Sequence, residues 1–114
     1  MKAIEFHLEE LPNGVITVFI KGEIDMSSSP QVRERLAALF KKNRKAVIVD
    51  LSNVAYIDSS GIATLVEGLQ WSHSSKNKFR LAGMTAAVRD VFEIARLLPV
   101  FETFSTKEEA LQDI

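Results

Sequence analysis

Residues 46–70 read AVIVDLSNVAYIDSSGIATLVEGLQ, and the change of period inside this stretch decides the fold. Ala46-Val47-Ile48-Val49 is a short β-branched apolar run ending in Asp50-Leu51. That is the pattern of a buried strand, covered on both faces and paired parallel to a neighbour. Ser52-Asn53 breaks the run, and Val54-Ala55-Tyr56-Ile57 resumes it in extended form. After Asp58-Ser59-Ser60-Gly61 the period lengthens. Ile62, Leu65, Val66 and Leu69 recur at helical spacing, as one apolar stripe. Acidic and hydroxyl residues therefore fall where strand gives way to helix. Free backbone N–H groups and the positive end of the helix dipole suit a side-chain oxygen there, or an added phosphate.

On the N-terminal side, Val15 to Ile20 is nearly all β-branched or aromatic and reads as an interior strand. A first strand over Ala3 to Leu8 reaches it through Leu11-Pro12-Asn13-Gly14, whose Asn-Gly pair supplies the positive φ a hairpin needs. Lys21-Gly22-Glu23-Ile24-Asp25 reads, on its residues alone, as a surface loop leaving the second strand. Ser27-Ser28-Ser29-Pro30 precedes an amphipathic run with Val32, Leu36, Leu39 and Phe40 on one face. A serine N-cap and a proline at the first helical position account for that cluster. The cations of Lys41-Lys42-Asn43-Arg44-Lys45 complement the end of the helix dipole, as a solvated terminus.

Downstream, Trp71 to Lys78 reads as a polar connection, with Trp71 itself in the core, and Phe79 to Gly83 as the next strand. Thr85 caps a third helix with Val88, Val91, Phe92 and Ala95 on its buried face; Pro99 disfavours helix before it. Phe101 to Phe104 alternates like an edge strand. Ser105 or Thr106 caps a short last helix, with Glu108 and Glu109 in its first turn and Ala110, Leu111 and Ile114 free to dock. The order β-β-α-β-α-β-α-β-α predicts an α/β fold, a mixed sheet opened by a hairpin and flanked by helices. Functional loops in such folds lie beyond the carboxyl ends of the parallel strands, where the Gly22–Asp25 and Asp58–Gly61 segments both fall.

The chain's 114 residues suit one domain, taken as 1–114, large enough for a core without staples. Cysteine is absent, which removes disulfides, thiol catalysis and cysteine metal sites. A formal net charge of −1 provides no basic footprint for nucleic acid or anionic membrane. The N-terminal residues lack a signal-peptide apolar region and no stretch approaches a transmembrane span, so a cytoplasmic protein without membrane insertion is expected. Nor does the chain read as an enzyme. Gly-x-Ser-x-Gly is missing around the serine pair, His7 and His73 both read as solvated, and no metal-ligand spacing or phosphate-cradling loop occurs. No cofactor is expected.

Val49-Asp50-Leu51-Ser52 followed by Tyr56-Ile57-Asp58-Ser59-Ser60-Gly61-Ile62 resembles the central signature of STAS domains, in particular the anti-sigma factor antagonists. The Gly22-Glu23-Ile24-Asp25 segment and the Val88-Arg89-Asp90-Val91-Phe92-Glu93 pattern are similar to two further family segments. The resemblance implies a phosphorylation-controlled binding module with Ser59 as phosphoacceptor. Its unphosphorylated form would bind an anti-sigma factor with serine kinase activity and so free a sigma factor. The kinase chemistry would belong to that partner. Partner contact is implied for Gly22, Glu23 and Asp25, and for Asp58, Ser60, Gly61, Ile62 and Glu67, with Gly61 letting a partner backbone approach. Thr64 and Val66 are further candidates for an exposed recognition edge. Two departures stand out: Ala63 replaces a second glycine common in the family, and Glu67 adds negative charge beside the expected contact surface. They leave open the alternative of a STAS subunit docked on the permease–ATPase complex of an ABC-type phospholipid transporter.

Overall fold

The computed structural model describes residues 3–114 and contains a five-stranded mixed sheet in the order β1-β2-β3-β4-β5. Strands β1 (Glu5–Glu10) and β2 (Val15–Ile24) form the opening antiparallel hairpin. Its four-residue connection closes through the Leu11 N–H on the Val15 carbonyl, with Gly14 at φ 80°. Strands β3 (Ala46–Ile57), β4 (Lys78–Ala82) and β5 (Glu102–Phe104) follow in parallel. They are joined by α1 (Ser29–Phe40), α2 (Ser59–Ser75) and α3 (Ala86–Ile94), and α4 (Lys107–Ala110) ends the chain.

Strand alternation divides the core in two. Ile16, Val18, Val47, Val49 and Leu81 point to the face covered by the larger helices, where Leu36, Leu65, Val88 and Phe92 meet them. The opposite face carries the smaller set Val15, Ala46, Ile48 and Ala82, covered by Ala110 of α4. Strand β3 is buried on both faces along Ala46–Leu51, as its β-branched run predicts.

Boundaries differ from the sequence pattern wherever pairing or packing decides them. Strand β3 runs through Ser52-Asn53 without a break. Phe19 faces Asp50 while Lys21 faces Asn53, so β3 carries an extra residue there and bulges. Strand β2 continues past Ile20, because Gly22 and Glu23 pair with Val54 and Tyr56; neither belongs to a loop. Helix α2 absorbs Trp71 to Ser75, buries Ser72, and stops at Lys76 in the left-handed conformation (φ 60°). Trp71 is half-buried, edge-on to Phe40 with ring centroids 6.2 Å apart. Helix α3 ends at Ile94, so Ala95 lies outside it and is exposed.

Candidate functional site

The carboxyl ends of β2 and β3 lie side by side. Ile24 pairs with Ile57, and the Asp58 N–H donates to the Ile24 carbonyl at 3.1 Å. Asp58 is the N-cap of α2, in extended backbone. Its Oδ1 accepts from the Ser60 N–H at 2.9 Å, the Gly61 N–H at 3.4 Å and the Ser60 hydroxyl at 2.5 Å. Two of the unpaired N–H groups at the helix start are thereby satisfied. Ser60 is half-buried. Ser59, the first residue of the helix, is exposed, and no partner for its hydroxyl occurs among the described residues.

Gly61 has a role that differs from the expected one. It is buried, and an added Cβ would lie 2.6 Å from both Ile24 Cγ2 and Ile57 Cγ1. The missing side chain sets how closely α2 approaches the strand ends; it does not open room for an incoming backbone. Ile62 (3% exposed) and Thr64 (4% exposed) also correct the expected recognition edge, since both are buried and Ile62 packs in the core. The Thr64 hydroxyl donates to the Ser60 carbonyl at 3.1 Å.

Ala63, Val66, Glu67 and Gln70 face outward onto a groove between α2 and α3, with Val91, Ile94 and Leu97 on its far wall and Ile62 in its floor. Its volume is about 650 Å³, and Ser59 stands at the end where α2 begins. Ile94 is 82% exposed, a large apolar residue without cover. The Glu67 carboxylate is paired. Arg33 Nε lies 3.0 Å from each of its oxygens, and the same guanidinium sits 5.8 Å from the centre of the Trp71 ring. The negative charge noted in the sequence is thus balanced by a cation from α1.

The neighbouring turn is organised by Asp25. Its Oδ1 accepts from the Ser27 N–H at 2.9 Å, the Ser27 hydroxyl at 2.6 Å and the Ser28 N–H at 3.2 Å. The Ser27 hydroxyl is the main cause, and the Ser27 N–H the next, of an Asp25 carboxyl held below its ordinary value. The serine expected to cap α1 does not do so. The Ser28 hydroxyl donates to the Glu23 carbonyl at 2.7 Å, and the Ser29 N–H bonds the Asp25 carbonyl at 2.8 Å. Glu23 is exposed at the strand end beside Tyr56, which is 49% exposed.

Two features escaped the sequence reading. One is a repeated device: Asp25-Met26-Ser27, Asp50-Leu51-Ser52 and Asp58-Ser59-Ser60 share the spacing Asp-x-Ser and the same geometry. In the second, Asp50 Oδ1 accepts from the Ser52 N–H at 2.9 Å and its hydroxyl at 2.5 Å. The recurring spacing was the available signal. The other is Arg80, buried in β4, which donates to the Ala110 and Gln112 carbonyls at 2.9 and 2.7 Å and pairs with Glu102 at 3.1 Å. Arg80 fastens the C-terminal segment to the sheet, far in sequence from the residues it holds.

The chemistry on offer is an outward hydroxyl beside an apolar groove. His7 lies on β1 and His73 in the last turn of α2, both exposed, and neither is a hydrogen-bond partner of Ser59. Among the described residues no cluster of three or more His, Asp or Glu side chains is arranged for a metal ion, and no helix is long and apolar enough to cross a membrane.

The STAS domain family model matches residues 9–110. This chain belongs to the STAS domain family. Among similar proteins, an anti-sigma-B factor antagonist of Listeria monocytogenes is 27% identical over 106 residues, covering 93% of each chain. An anti-sigma factor antagonist from Mycobacterium paratuberculosis superposes with a TM-score of 0.86 at 26% identity, covering 96% of this chain and 92% of that chain. The unphosphorylated form of the anti-sigma factor antagonist SpoIIAA superposes with a TM-score of 0.80 at 22% identity, covering 94% and 93%, and so shares the fold.

Proposed function

We propose that this STAS domain is an anti-sigma factor antagonist whose docking onto an anti-sigma factor with serine kinase activity is switched by phosphorylation of Ser59. The observation that carries the reading is the exposed Ser59 hydroxyl at the end of the α2–α3 groove. Membership of the STAS family and the names of the relatives support it, and the same names favour it over a transporter subunit. The docking face comprises Ser59, Asp58 and the groove wall through Val66 and Glu67, flanked by Glu23 and Asp25 at the neighbouring strand end. Ser60, Gly61 and Ile62 contribute by shaping this face from beneath, and Gly22 lies in the strand that leads to Glu23.

In the switching step the γ-phosphoryl group of ATP, bound by the partner, passes to Ser59 Oγ. The new O–P bond replaces the bond to the β-phosphate oxygen, ADP leaves, and the hydroxyl proton goes to a base on the partner. The product carries about −1.5 to −2 additional charges at neutral pH. A helix N-terminus tolerates that anion, so the fold is preserved. The cost falls on docking, because the anion must be stripped of water beside Asp58 and an apolar groove.

The direct test is incubation with ATP and a candidate anti-sigma kinase, followed by mass-spectrometric mapping and calorimetry. One phosphate on Ser59 and weaker binding of the modified form are expected. A phosphate mapped elsewhere, or unchanged affinity, removes the reading. Ser59→Ala should bind and resist modification.

A further inference from the structure

We infer that the Asp58–Ser60 pair confines phosphorylation at this turn to Ser59, by making a phosphate on Ser60 incompatible with the folded turn. The inference rests on the reading of Ser59 as acceptor and deepens it, since two adjacent serine hydroxyls lie at the same helix start. The same transfer can be written for either one: a serine Oγ–P bond forms, the bond between the γ-phosphorus and the β-phosphate oxygen of a nucleoside triphosphate breaks, and the hydroxyl proton leaves to a base of the kinase.

The products differ. On Ser59 the ester replaces an exposed hydroxyl without a partner among the described residues. On Ser60 it removes the O–H that donates to Asp58 Oδ1 at 2.5 Å. Two acceptors would then face each other, with about −1.5 to −2 added charges against the carboxylate. Asp58 cannot swing aside freely, because the same Oδ1 holds the Ser60 and Gly61 N–H groups. Ser60 itself is half-buried, with its hydroxyl turned onto that carboxylate.

The other two Asp-x-Ser segments, one in the turn after β2 and one at the bulge inside β3, mark the arrangement as a structural device. Ser27 and Ser52 are bound by their aspartates as Ser60 is by Asp58, and the middle residues there are Met26 and Leu51. Only at residues 58–60 does the middle position carry a hydroxyl. Asp58 and Ser60 act as positioning residues, and they divide two neighbouring serines into one acceptor and one structural donor.

Phosphoserine installed by stop-codon suppression at position 59 or at position 60 separates the two, with the protein alone and no kinase required. The chain carrying phosphoserine at 60 is expected to melt lower than the chain carrying it at 59, by on the order of 5 °C. Asp58→Asn keeps the cap but removes the charge, and it should close at least half of that gap. A phosphoserine-60 chain that fails to fold counts in favour if Asp58→Asn restores folding. Equal melting temperatures, or a gap that Asp58→Asn leaves more than half intact, overturn the inference. The Ser59 reading fails separately, when the wild-type chain comes back from kinase and ATP without a phosphate on Ser59.

Discussion

The turns after β2 and β3 are built alike and end differently. In each, an aspartate Oδ1 collects the N–H and hydroxyl of the serine two residues on, and the N–H of the residue after that. The middle residue points into solvent in both, as Met26 (80% exposed) and as Ser59. The third residue after the aspartate is Ser28 in one and Gly61 in the other. One turn therefore presents an apolar side chain above a hydroxyl-braced loop. The other presents a modifiable hydroxyl above a helix drawn tight against the sheet. A shared hydrogen-bond scaffold holds the chain; the residues it leaves uncommitted decide what the turn is for.

The widest separation between the two turns should appear in partner binding. Ser59→Asp places a charge at the end of the groove and should weaken binding of the anti-sigma factor on the order of 100-fold, as expected when like charge or an unpaired anion is forced into an interface. Met26→Asp adds the same charge in the matching position of the other turn, outside the groove, and should weaken it less than about 10-fold. Calorimetry on both variants decides the matter, provided circular dichroism is unchanged. Equal losses would mean that the whole strand-end surface acts as one electrostatic patch, and the distinction between the turns would vanish.

Stability is the next place to press. Gly61→Ala puts a Cβ 2.6 Å from Ile24 Cγ2 and Ile57 Cγ1 in the buried core. The helix start or both isoleucines must shift, at a cost of about 1–3 kcal/mol. At the matching position, Ser28→Ala removes a hydroxyl that donates to the Glu23 carbonyl and accepts from the Asp25 N–H, and should cost about 1–2 kcal/mol. Denaturant unfolding of the two variants gives the comparison. A Gly61→Ala protein as stable as the wild type would show that α2 has slack at its first turn.

These contrasts show where sequence reading succeeds and where it stops. The element order was legible because the apolar period changes cleanly, from the β-branched run of Ala46–Val49 to the helical stripe of Ile62, Leu65 and Leu69. The location of Ser59 followed from that change alone. Its exposure did not, and neither did the burial of Ile62 and Thr64, since both depend on how far α2 is rotated against the sheet. In the sequence Gly61 reads as a partner-facing glycine, because its true neighbours, Ile24 and Ile57, meet only through strand pairing. The length of β2 was missed for the same reason: Gly22 is a poor strand former in isolation, and its pairing with Val54 is a tertiary fact. The polar end of α2 looked like a loop because no glycine marks its stop, and Lys76 takes the left-handed conformation instead.

The smallest effect concerns acid, and it probes the β2 turn alone. The Asp25 carboxyl lies below its ordinary value of 3.8, chiefly through the Ser27 hydroxyl and then the Ser27 N–H, with burial opposing them. A depressed folded-state value means the ionised form is the one the folded turn prefers. The stability it contributes is complete above the unfolded value and drains away as pH falls through the lower, folded one. Asp25→Asn retains an acceptor oxygen but has no charge to lose. The wild type should therefore melt slightly above the variant at neutral pH, and the margin should shrink once the pH drops below 3.8. Melting curves from neutral pH down to the acid limit of folding test this directly. A margin that widens toward acid would mean that the protonated carboxyl is the better partner for Ser27, and the turn after β2 would then be braced by a donor where the geometry provides an acceptor.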